Sequence, residues 1–382
     1  MPTPPEPTQV SSLLIRRDAR FACVGDGLCC SDVHVLGPVA PREVRRLTSR
    51  TPGVVRRHRT LRILYIDTVP HPVGGRVCAF LQPDGCAIHT QRPSTCRHFP
   101  FGLVATPLGL RVTTEHRCPC RSLGPRPALD IDLARSSLAG RFEQLRPNLR
   151  VGNRVLVEGR RCLSFHRFLT EVESPLLASL LEPTPEFSRL GEPFPPLDGS
   201  TWIDVAHLLR GYAAEGSSGA EAIGWFADTL LLLQGASTRA KRGRPWAWSF
   251  DRAEARGGAV ASPEAVLGDW AADVLWSMTW TQHGSFAQGL SELATRLVVA
   301  DAVAKRLQAQ LGLRPDRAAA EAVMMAELAG ALPLWDSVRA SIRTSGQGTG
   351  RFTGASSRHG ADRVAGEVAE QVGPEGQRQA IP

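Results

Sequence analysis

The chain has 382 residues, of which 42% are hydrophobic and 21% are charged, and its net charge is +8 at neutral pH. This composition excludes a wholly disordered chain, since enough apolar residues are present for a core, and the length predicts two domains with tails. The longest apolar runs, such as 227–233 with its Asp228, are far shorter than the ~18 residues of a transmembrane helix, so no membrane span is predicted.

The positive charge is concentrated in the first third of the chain. Residues 1–130 contain 18 arginines and 9 acidic residues, whereas the remaining residues contain 27 basic and 28 acidic ones. A basic domain can steer anions or nucleic acid, or it can offset the negative charge of a thiolate metal site. The scarcity of lysine is most simply explained by a GC-rich genome.

The first third predicts a small module with many loops. Residues 1–12 form a Pro-rich leader, predicted to be disordered and without an export signal, so a cytoplasmic, bacterial-type protein is expected. The cysteine-rich segment 13–130 follows, and its apolar stretches are short. The predicted elements are a helix at 41–50, strands at 61–69 and 77–81, and a hairpin of 101–104 with 110–114.

The rest of the chain is predicted to be mostly helical. Residues 131–200 are a connecting region with a weak strand at 154–157 and a helical pattern at 164–181 that Pro175 interrupts. The predicted parts after it are a helical domain at 201–343, in which 241–258 is a charged loop with Trp246 and Trp248, and a disordered tail at 344–382. Ser262-Pro263 predicts a helix start, and Gly312 predicts a helix end. The fold class is therefore α+β, a small cysteine-rich metal-binding module followed by a mostly α-helical domain.

Eight of the nine cysteines lie between positions 23 and 120. They are Cys23, Cys29, Cys30, Cys78, Cys86, Cys96, Cys118 and Cys120, and only Cys162, predicted to be a lone free thiol, lies outside. Clustered cysteines in a chain without an export signal indicate metal ligands before disulfides. A disulfide framework is the weaker alternative, because the adjacent Cys29 and Cys30 cannot pair without strain.

The order of these cysteines resembles a known family. Cys23 and Cys29-Cys30 are followed by Cys78-Ala-Phe-Leu, Cys86-Ala-Ile and Arg92-Pro-Ser-Thr-Cys96-Arg-His-Phe-Pro. Over residues 20–122 this pattern resembles the YkgJ-type cysteine-cluster proteins, described as a zinc- or iron-chelating domain with a C-x-x-C-x-x-C-C motif. The resemblance implies that these cysteines, with Cys118 and Cys120 as further candidates, hold an iron–sulfur cluster or zinc.

The chain departs from the family motif at Asp26, which stands where the second cysteine is expected. Three interpretations are open. Asp26 is an oxygen ligand in the same position, or it hydrogen-bonds backbone amides in the turn between Gly25 and Gly27, or the site uses only the other cysteines. A carboxylate is a harder ligand than a thiolate, so the metal identity is open as well.

Five side chains near the cysteines are weaker candidates. His89, His98 and His116 each lie within three residues of a cysteine, and histidine is a common zinc ligand, although a supporting or exposed role is expected for each. Arg92 and Arg97 flank Cys96 and are candidates for hydrogen bonds to its sulfur, with ordinary loop structure as the alternative.

Three functions from different classes follow. The first is a metal-binding protein, with eight cysteines favouring a cluster or two sites over one tetrahedral zinc. The second is a protein-modifying enzyme that resembles flagellin lysine N-methylases, relatives that pair a similar cluster with a helical region, and it would bind S-adenosylmethionine. The third is a nucleic-acid adaptor that uses the basic first third of the chain, and nucleic acid is the less favoured partner. Contact of the helical domain with another protein is a further expectation.

Overall fold

The computed structural model describes residues 12–58, 61–124, 126–139, 145–193, 201–213, 217–238, 242–256, 261–332, 335 and 338. The predicted leader, apart from residue 12, and the predicted tail at 344–382 lie outside these residues. The chain mixes helices with small sheets, as the sequence predicts.

The strands are short, and most of them lie in the first half of the chain. In the described residues they are β1 (Leu13–Ile15), β2 (Val55–Arg57), β3 (Leu64–Ile66), β4 (Thr68–Pro70), β5 (Arg76–Cys78), β6 (Leu81–Gln82), β7 (Gly85–Cys86), β8 (Phe101–Thr106), β9 (Gly109–Thr114), β10 (Leu149–Arg150), β11 (Arg154–Glu158) and β12 (Arg161–Ser164).

The largest sheet has the strand order β1-β9-β8-β10. Its centre is the β8–β9 hairpin, in which Phe101 pairs with Thr114 and Thr106 with Gly109, so the predicted hairpin is confirmed. Strands β1 and β10 add in parallel at the two edges. The single strand predicted at 61–69 is wrong, because the chain changes partner at Asp67: β3 pairs with β2, and β4 pairs with β5.

The helices of the described residues are α1 (Pro41–Thr48), α2 (Ser94–His98), α3 (Pro119–Ser122), α4 (Ile131–Leu138), α5 (Phe165–Phe168), α6 (Ser174–Leu180), α7 (Thr201–Ala213), α8 (Ser218–Leu233), α9 (Ala247–Arg256), α10 (Pro263–Trp276), α11 (Phe286–Leu311) and α12 (Pro315–Gly330). None of these described helices has the length and apolar character needed to cross a bilayer.

Local sequence explains several of the helix boundaries. The Ser262 side chain accepts a hydrogen bond from the Ala265 amide at the start of α10, and Gly312 takes a left-handed φ of 63° at the end of α11, as predicted. The predicted interruption of the helical pattern near Pro175 takes the form of a π-helical segment, Leu169–Glu173, which separates α5 from α6. Pro175 has no N–H for the preceding helical turn, and the π-helical segment lies directly before it.

The main hydrophobic core lies among the helices but extends into the cysteine-rich segment. Helix α12 is buried around nearly its whole circumference, as expected of a central helix. Leu28, Val33 and Leu123 belong to the same core. Two smaller cores stabilise the strands, one on the four-stranded sheet and one around β3, β5 and α1. The division at 13–130, 131–200 and 201–343 stays a prediction.

Candidate metal centre

The loop between Cys23 and Cys30 is shaped by two glycines with positive φ, Gly25 at 65° and Gly27 at 88°. These turns bring Asp26 into the interior, where its exposed fraction is only 1%. One carboxylate oxygen, Oδ1, accepts hydrogen bonds of 2.8 Å from the Leu28 amide and from the Ser249 hydroxyl. The carboxylate is therefore held in one orientation, with Oδ2 available to a different neighbour.

That neighbour is the Cys118-Pro-Cys120 segment at the start of α3. Both cysteines are buried, and Oδ2 of Asp26 lies 2.6 Å from Sγ of Cys120 and 3.9 Å from Sγ of Cys118. The Val24 amide donates a further hydrogen bond of 3.1 Å to Sγ of Cys120. Asp26, Cys118 and Cys120 have ligand atoms that all lie within 4.8 Å of one another, and no other group of three or more such residues is found in the described chain.

Cys23 lies beside this group. Its side chain is exposed, and a hydrogen bond between the Cys23 and Cys120 thiols raises the pKa of Cys23. We define the Asp26 group as Asp26, Cys118 and Cys120 together with Cys23. Asp26, Cys118 and Cys120 are its close-spaced members, whereas Cys23 lies outside that spacing and is the candidate for the fourth donor that a tetrahedral metal ion takes.

The other five predicted ligands form a second set around the small core at β3 and β5. Cys78 belongs to that core, and Cys30, Cys86 and Cys96 pack against it. Cys29 lies next to Cys30, with the two sulfur atoms 3.9 Å apart. We call these five residues the outer cysteines. They are neighbours, but within the described residues no three of them reach the close spacing of the Asp26 group.

Electrostatic contacts link the two sets through Cys29. The thiols of Cys78, Cys29 and Cys86 all act to raise the pKa of Cys96, after burial itself, which contributes most. The pKa of Cys29 is also raised, mainly by its hydrogen bond with Cys30 and by burial, with smaller contributions from Asp26 and Cys23. Cys29 is therefore the outer cysteine whose thiol interacts with the charges of the Asp26 group.

The buried thiols are held in their neutral form. Burial raises the pKa of Cys78 to about 11. The hydrogen bond with Cys120 favours the thiolate of Cys118, but burial and the charge of Asp26 outweigh it and raise the pKa of Cys118 to about 12. A metal must therefore displace protons from these sulfur atoms in order to bind.

Helix α9 covers the loop that carries Asp26. Besides the Ser249 hydroxyl, it contributes Trp248, whose ring would lie 3.0 Å from a Cβ atom at Gly27, and Arg256, which hydrogen-bonds to the carbonyl oxygens of Val24 and Gly25. The sequence predicts a charged loop here, and that prediction is wrong. The apolar spacing of Trp246, Phe250 and Ala253, all buried, is the signal that identifies the helix.

A buried charge network lies behind α3. His116 contacts Asp273 Oδ2 at 2.8 Å, and Arg121 donates to the same oxygen atom at 2.6 Å. Arg16 donates to Oδ1 of Asp273 at 2.5 Å. The His116 side chain therefore binds a carboxylate of α10 and forms no hydrogen bond with a cysteine among the described residues.

The remaining weak candidates have ordinary roles. His89 is exposed, and His98 is half-buried with no hydrogen bond to Nε2 in the described residues. Arg92 donates to the His89 carbonyl at 3.0 Å, and its charge acts to lower the pKa of Cys96 without outweighing burial. Cys162 is part of β12, where it pairs with Leu156.

Comparison with known proteins adds no assignment. No protein-family model matches the chain, and neither the curated proteins nor the solved structures gave a match. The resemblance to the YkgJ-type family over residues 20–122 stays a prediction, as does the alternative of a lysine N-methylase that binds S-adenosylmethionine.

Proposed function

We propose that this protein binds a transition metal, as zinc or as an iron–sulfur cluster, through its cysteines and Asp26. The observation that carries the proposal is the Asp26 group. Cys118 and Cys120 follow Asp26 by 92 and 94 positions in sequence, yet both of their sulfur atoms lie beside its carboxylate in the interior. A buried carboxylate without an ion-pair partner among the described residues is costly to assemble, and a metal ion bound by it and by the thiolates would offset that cost.

The spacing of the donors fits a metal ion. Two ligand atoms of a tetrahedral zinc site with Zn–S bonds of about 2.3 Å lie roughly 3.7 Å apart. With a shorter Zn–O bond of about 2.1 Å, a sulfur and an oxygen ligand lie roughly 3.6 Å apart, and the separation of 3.9 Å between Cys118 Sγ and Asp26 Oδ2 is a few tenths of an ångström longer. The distance of 2.6 Å from Cys120 Sγ to Asp26 Oδ2 is instead that of a thiol donating a hydrogen bond, whose proton the metal would replace.

The donor chemistry differs between the two sets of cysteines. The Asp26 group combines sulfur with one oxygen, a set that zinc accepts. The outer cysteines, Cys29, Cys30, Cys78, Cys86 and Cys96, offer sulfur alone, which suits zinc or an iron–sulfur cluster. A metal ion coordinated entirely by protein ligands would stabilise the fold. An iron–sulfur cluster would in addition allow the protein to transfer electrons.

The test is the metal content of the full-length protein purified without oxygen. We expect zinc, or iron with acid-labile sulfide and a broad absorption band near ~400 nm. The double variant Cys118→Ser/Cys120→Ser should lose about one metal ion per chain if the Asp26 group holds zinc. The variant Cys162→Ser is the matched control, since this cysteine lies away from both sets, and it should keep the wild-type content.

The same preparation can overturn the proposal. Wild-type protein with neither zinc nor iron contradicts it, and so does a double variant that keeps its full metal content together with a Cys78→Ser variant that also keeps it. A double variant that folds poorly is resolved by the single variant Cys120→Ser, in which only one donor is removed.

A further inference from the structure

The outer surface of α1 and of the β2–β3 ribbon is rich in arginine. Residues 41–66 contain eight arginines and a single acidic residue, Glu43. Seven of these arginines are in the described residues, and all seven are exposed. They are Arg42, Arg45, Arg46, Arg50, Arg56, Arg57 and Arg62, which we call the arginine face.

The fold places these side chains on two neighbouring elements. On α1 the arginines at 42, 45 and 46 follow helical spacing and share one side of the helix, while Glu43 and Leu47 are buried on the other. The β2–β3 ribbon packs on the same small core as α1, through Ile66 and the partly buried Val55 and Leu64. Helix and ribbon are therefore anchored to one core, with the three arginines of α1 on a common side.

The charge of the arginine face is mostly uncompensated. Arg56 pairs with Asp67 at 2.8 Å, and Arg50 donates to Gln91 at 2.8 Å. The other five arginines form no ion pair or side-chain hydrogen bond with any described residue. The buried carboxylate of Glu43 is already bound by the amides of Ala40 and Ser94, at 3.0 and 2.8 Å.

Several arginines in the helical part of the chain have acidic partners. Arg314 pairs with Asp316 at 2.7 Å, Arg317 with Glu321 at 3.0 Å, and Arg167 with Glu171 at 2.8 Å. Residues beyond 130 are close to neutral overall, so the excess positive charge of the molecule lies mainly on the cysteine-rich part. An exposed surface of this kind attracts polyanions.

The surroundings of the arginine face select among polyanions. A membrane-binding surface would add large apolar side chains, but none is exposed in the described residues between 41 and 66. A single-stranded ligand would use aromatic stacking surfaces, whereas Tyr65 packs edge-on against His58, with ring centroids 5.6 Å apart. The guanidinium groups alone are suited to phosphate oxygens.

We propose that the arginine face binds the phosphate backbone of duplex nucleic acid without reading its sequence. The sequence alone does not favour this partner. The structure adds that the arginines are exposed on two elements of one small core, that three of them share one side of α1, and that most of them form no ion pair among the described residues. The proposal is independent of metal binding, because none of these arginines belongs to the Asp26 group or the outer cysteines.

The test measures binding of the full-length protein to a labelled, mixed-sequence duplex DNA, and to the matching duplex RNA, as a function of salt. Five arginines on phosphates predict a slope of about −4.5 in log affinity against log salt, so affinity should fall on the order of 500-fold between ~50 and ~200 mM salt. The variant Arg42→Gln/Arg45→Gln/Arg46→Gln should weaken binding and flatten the slope by about 2.7.

The matched control removes the same charge elsewhere. Arg154→Gln/Arg160→Gln/Arg161→Gln changes three exposed arginines of the β11–β12 hairpin and should leave the slope almost unchanged. Single variants Arg57→Gln and Arg62→Gln, each expected to flatten the slope by about 1, serve if the triple variant folds poorly.

Three outcomes would overturn the proposal. The first is no binding to either duplex at ~50 mM salt. The second is equal loss of affinity in both triple variants, which would indicate net charge and not a specific face. The third is that polyglutamate or phosphatidylserine vesicles bind as tightly as the duplexes, which would indicate an acidic protein or a lipid surface.

Discussion

Asp26 is held by two different kinds of contact. Its Oδ1 atom accepts from the Leu28 amide and the Ser249 hydroxyl, and its Oδ2 atom faces the cysteine thiols. Two of the interpretations left open by the sequence are thus compatible, because one oxygen atom stabilises the turn while the other is available as a ligand. The same residue shapes the loop and presents a free oxygen atom to the two buried cysteines.

The two roles of Asp26 can be separated by substitution. We expect Asp26→Asn to keep the turn but to bind zinc at least tenfold more weakly, because the anionic donor is lost. Asp26→Cys should keep the metal and, after cobalt substitution, add intensity to the sulfur-to-metal absorption band. Equal metal affinity in wild type and Asp26→Asn would show that the carboxylate is no ligand.

Gly27 is required for two reasons, its positive φ and the contact with Trp248. An alanine at Gly27 has the backbone strain of a φ of 88° and meets the Trp248 ring at 3.0 Å, whereas one at Gly53, with a φ of 74°, meets no atom within 4 Å. We expect Gly53→Ala to lower the free energy of unfolding by about 1–2 kcal/mol and Gly27→Ala by about 2–4 kcal/mol.

Metal titration distinguishes the two glycine variants further. Only Gly27→Ala should weaken metal binding, because only this change displaces the loop that carries Asp26. Similar losses of stability in both variants, with metal affinity unchanged, would contradict a close packing of α9 on the loop.

At the scale of elements, the sequence is informative wherever the determinants are local. The β8–β9 hairpin, the helix start at Ser262 and the end of α11 at Gly312 all follow from neighbouring residues. The cysteines could be named as ligands because of their clustering, but their division into two sets depends on how distant strands and loops pack. That division has no local signal.

The part of the site most remote in sequence was not predictable. Ser249 contacts Asp26 across 223 residues, and nothing in its own neighbourhood indicates a role at the cysteines. Helix α9 was hidden because its sequence is short and charged, although its buried aromatic side chains follow helical spacing. Tertiary packing, not local propensity, decides such an element.

Helix α10 joins the cysteine-rich segment to the helices through Asp273. Burial disfavours its charge, but Arg121 and Arg16 outweigh burial and hold the pKa of Asp273 well below its ordinary value. Because the folded pKa is depressed, this carboxylate stabilises the fold above the unfolded pKa of about 3.9, and the contribution is lost as pH falls through the folded pKa.

We therefore expect Asp273→Asn to lower the free energy of unfolding at pH 7 by about 3 kcal/mol, because the buried Arg16 and Arg121 then share a single carboxylate, that of Asp269. Urea denaturation at neutral and acidic pH measures this, and the difference from wild type should shrink below pH ~4. The control Asp301→Asn breaks only the exposed pair with Lys305 and should cost about 0–1 kcal/mol. A difference that does not change with pH would contradict the role of the charge.

At the scale of the whole molecule, the cysteine-rich segment and the helices share one core. Leu28 and Val33 pack with the helices, and Asp273 joins the network around His116 and Arg121. Loss of metal from the Asp26 group should therefore affect the helices as well as the loops.

Thermal unfolding tests this coupling. We expect the metal-loaded protein to unfold in one cooperative transition, and a chelator should lower the midpoint of that transition as a whole, because metal binding energy is folding energy. Cys162→Ser, with its metal ligands intact, should respond to the chelator as wild type does. Two transitions, of which only the first responds to the chelator, would show that the two parts fold independently.

The distance in sequence between Asp26 and Ser249 has a consequence for biosynthesis. A ribosome adds roughly 5–20 residues per second, so about 10–45 s separate the synthesis of these two residues, which are 223 positions apart. During that interval the first cysteines have left the ribosome, while the helix that covers them has not been made. A metal bound at the Asp26 group, as we propose, would therefore be covered only after about two thirds of the chain has been made, and the nascent chain exposes its first thiols until then.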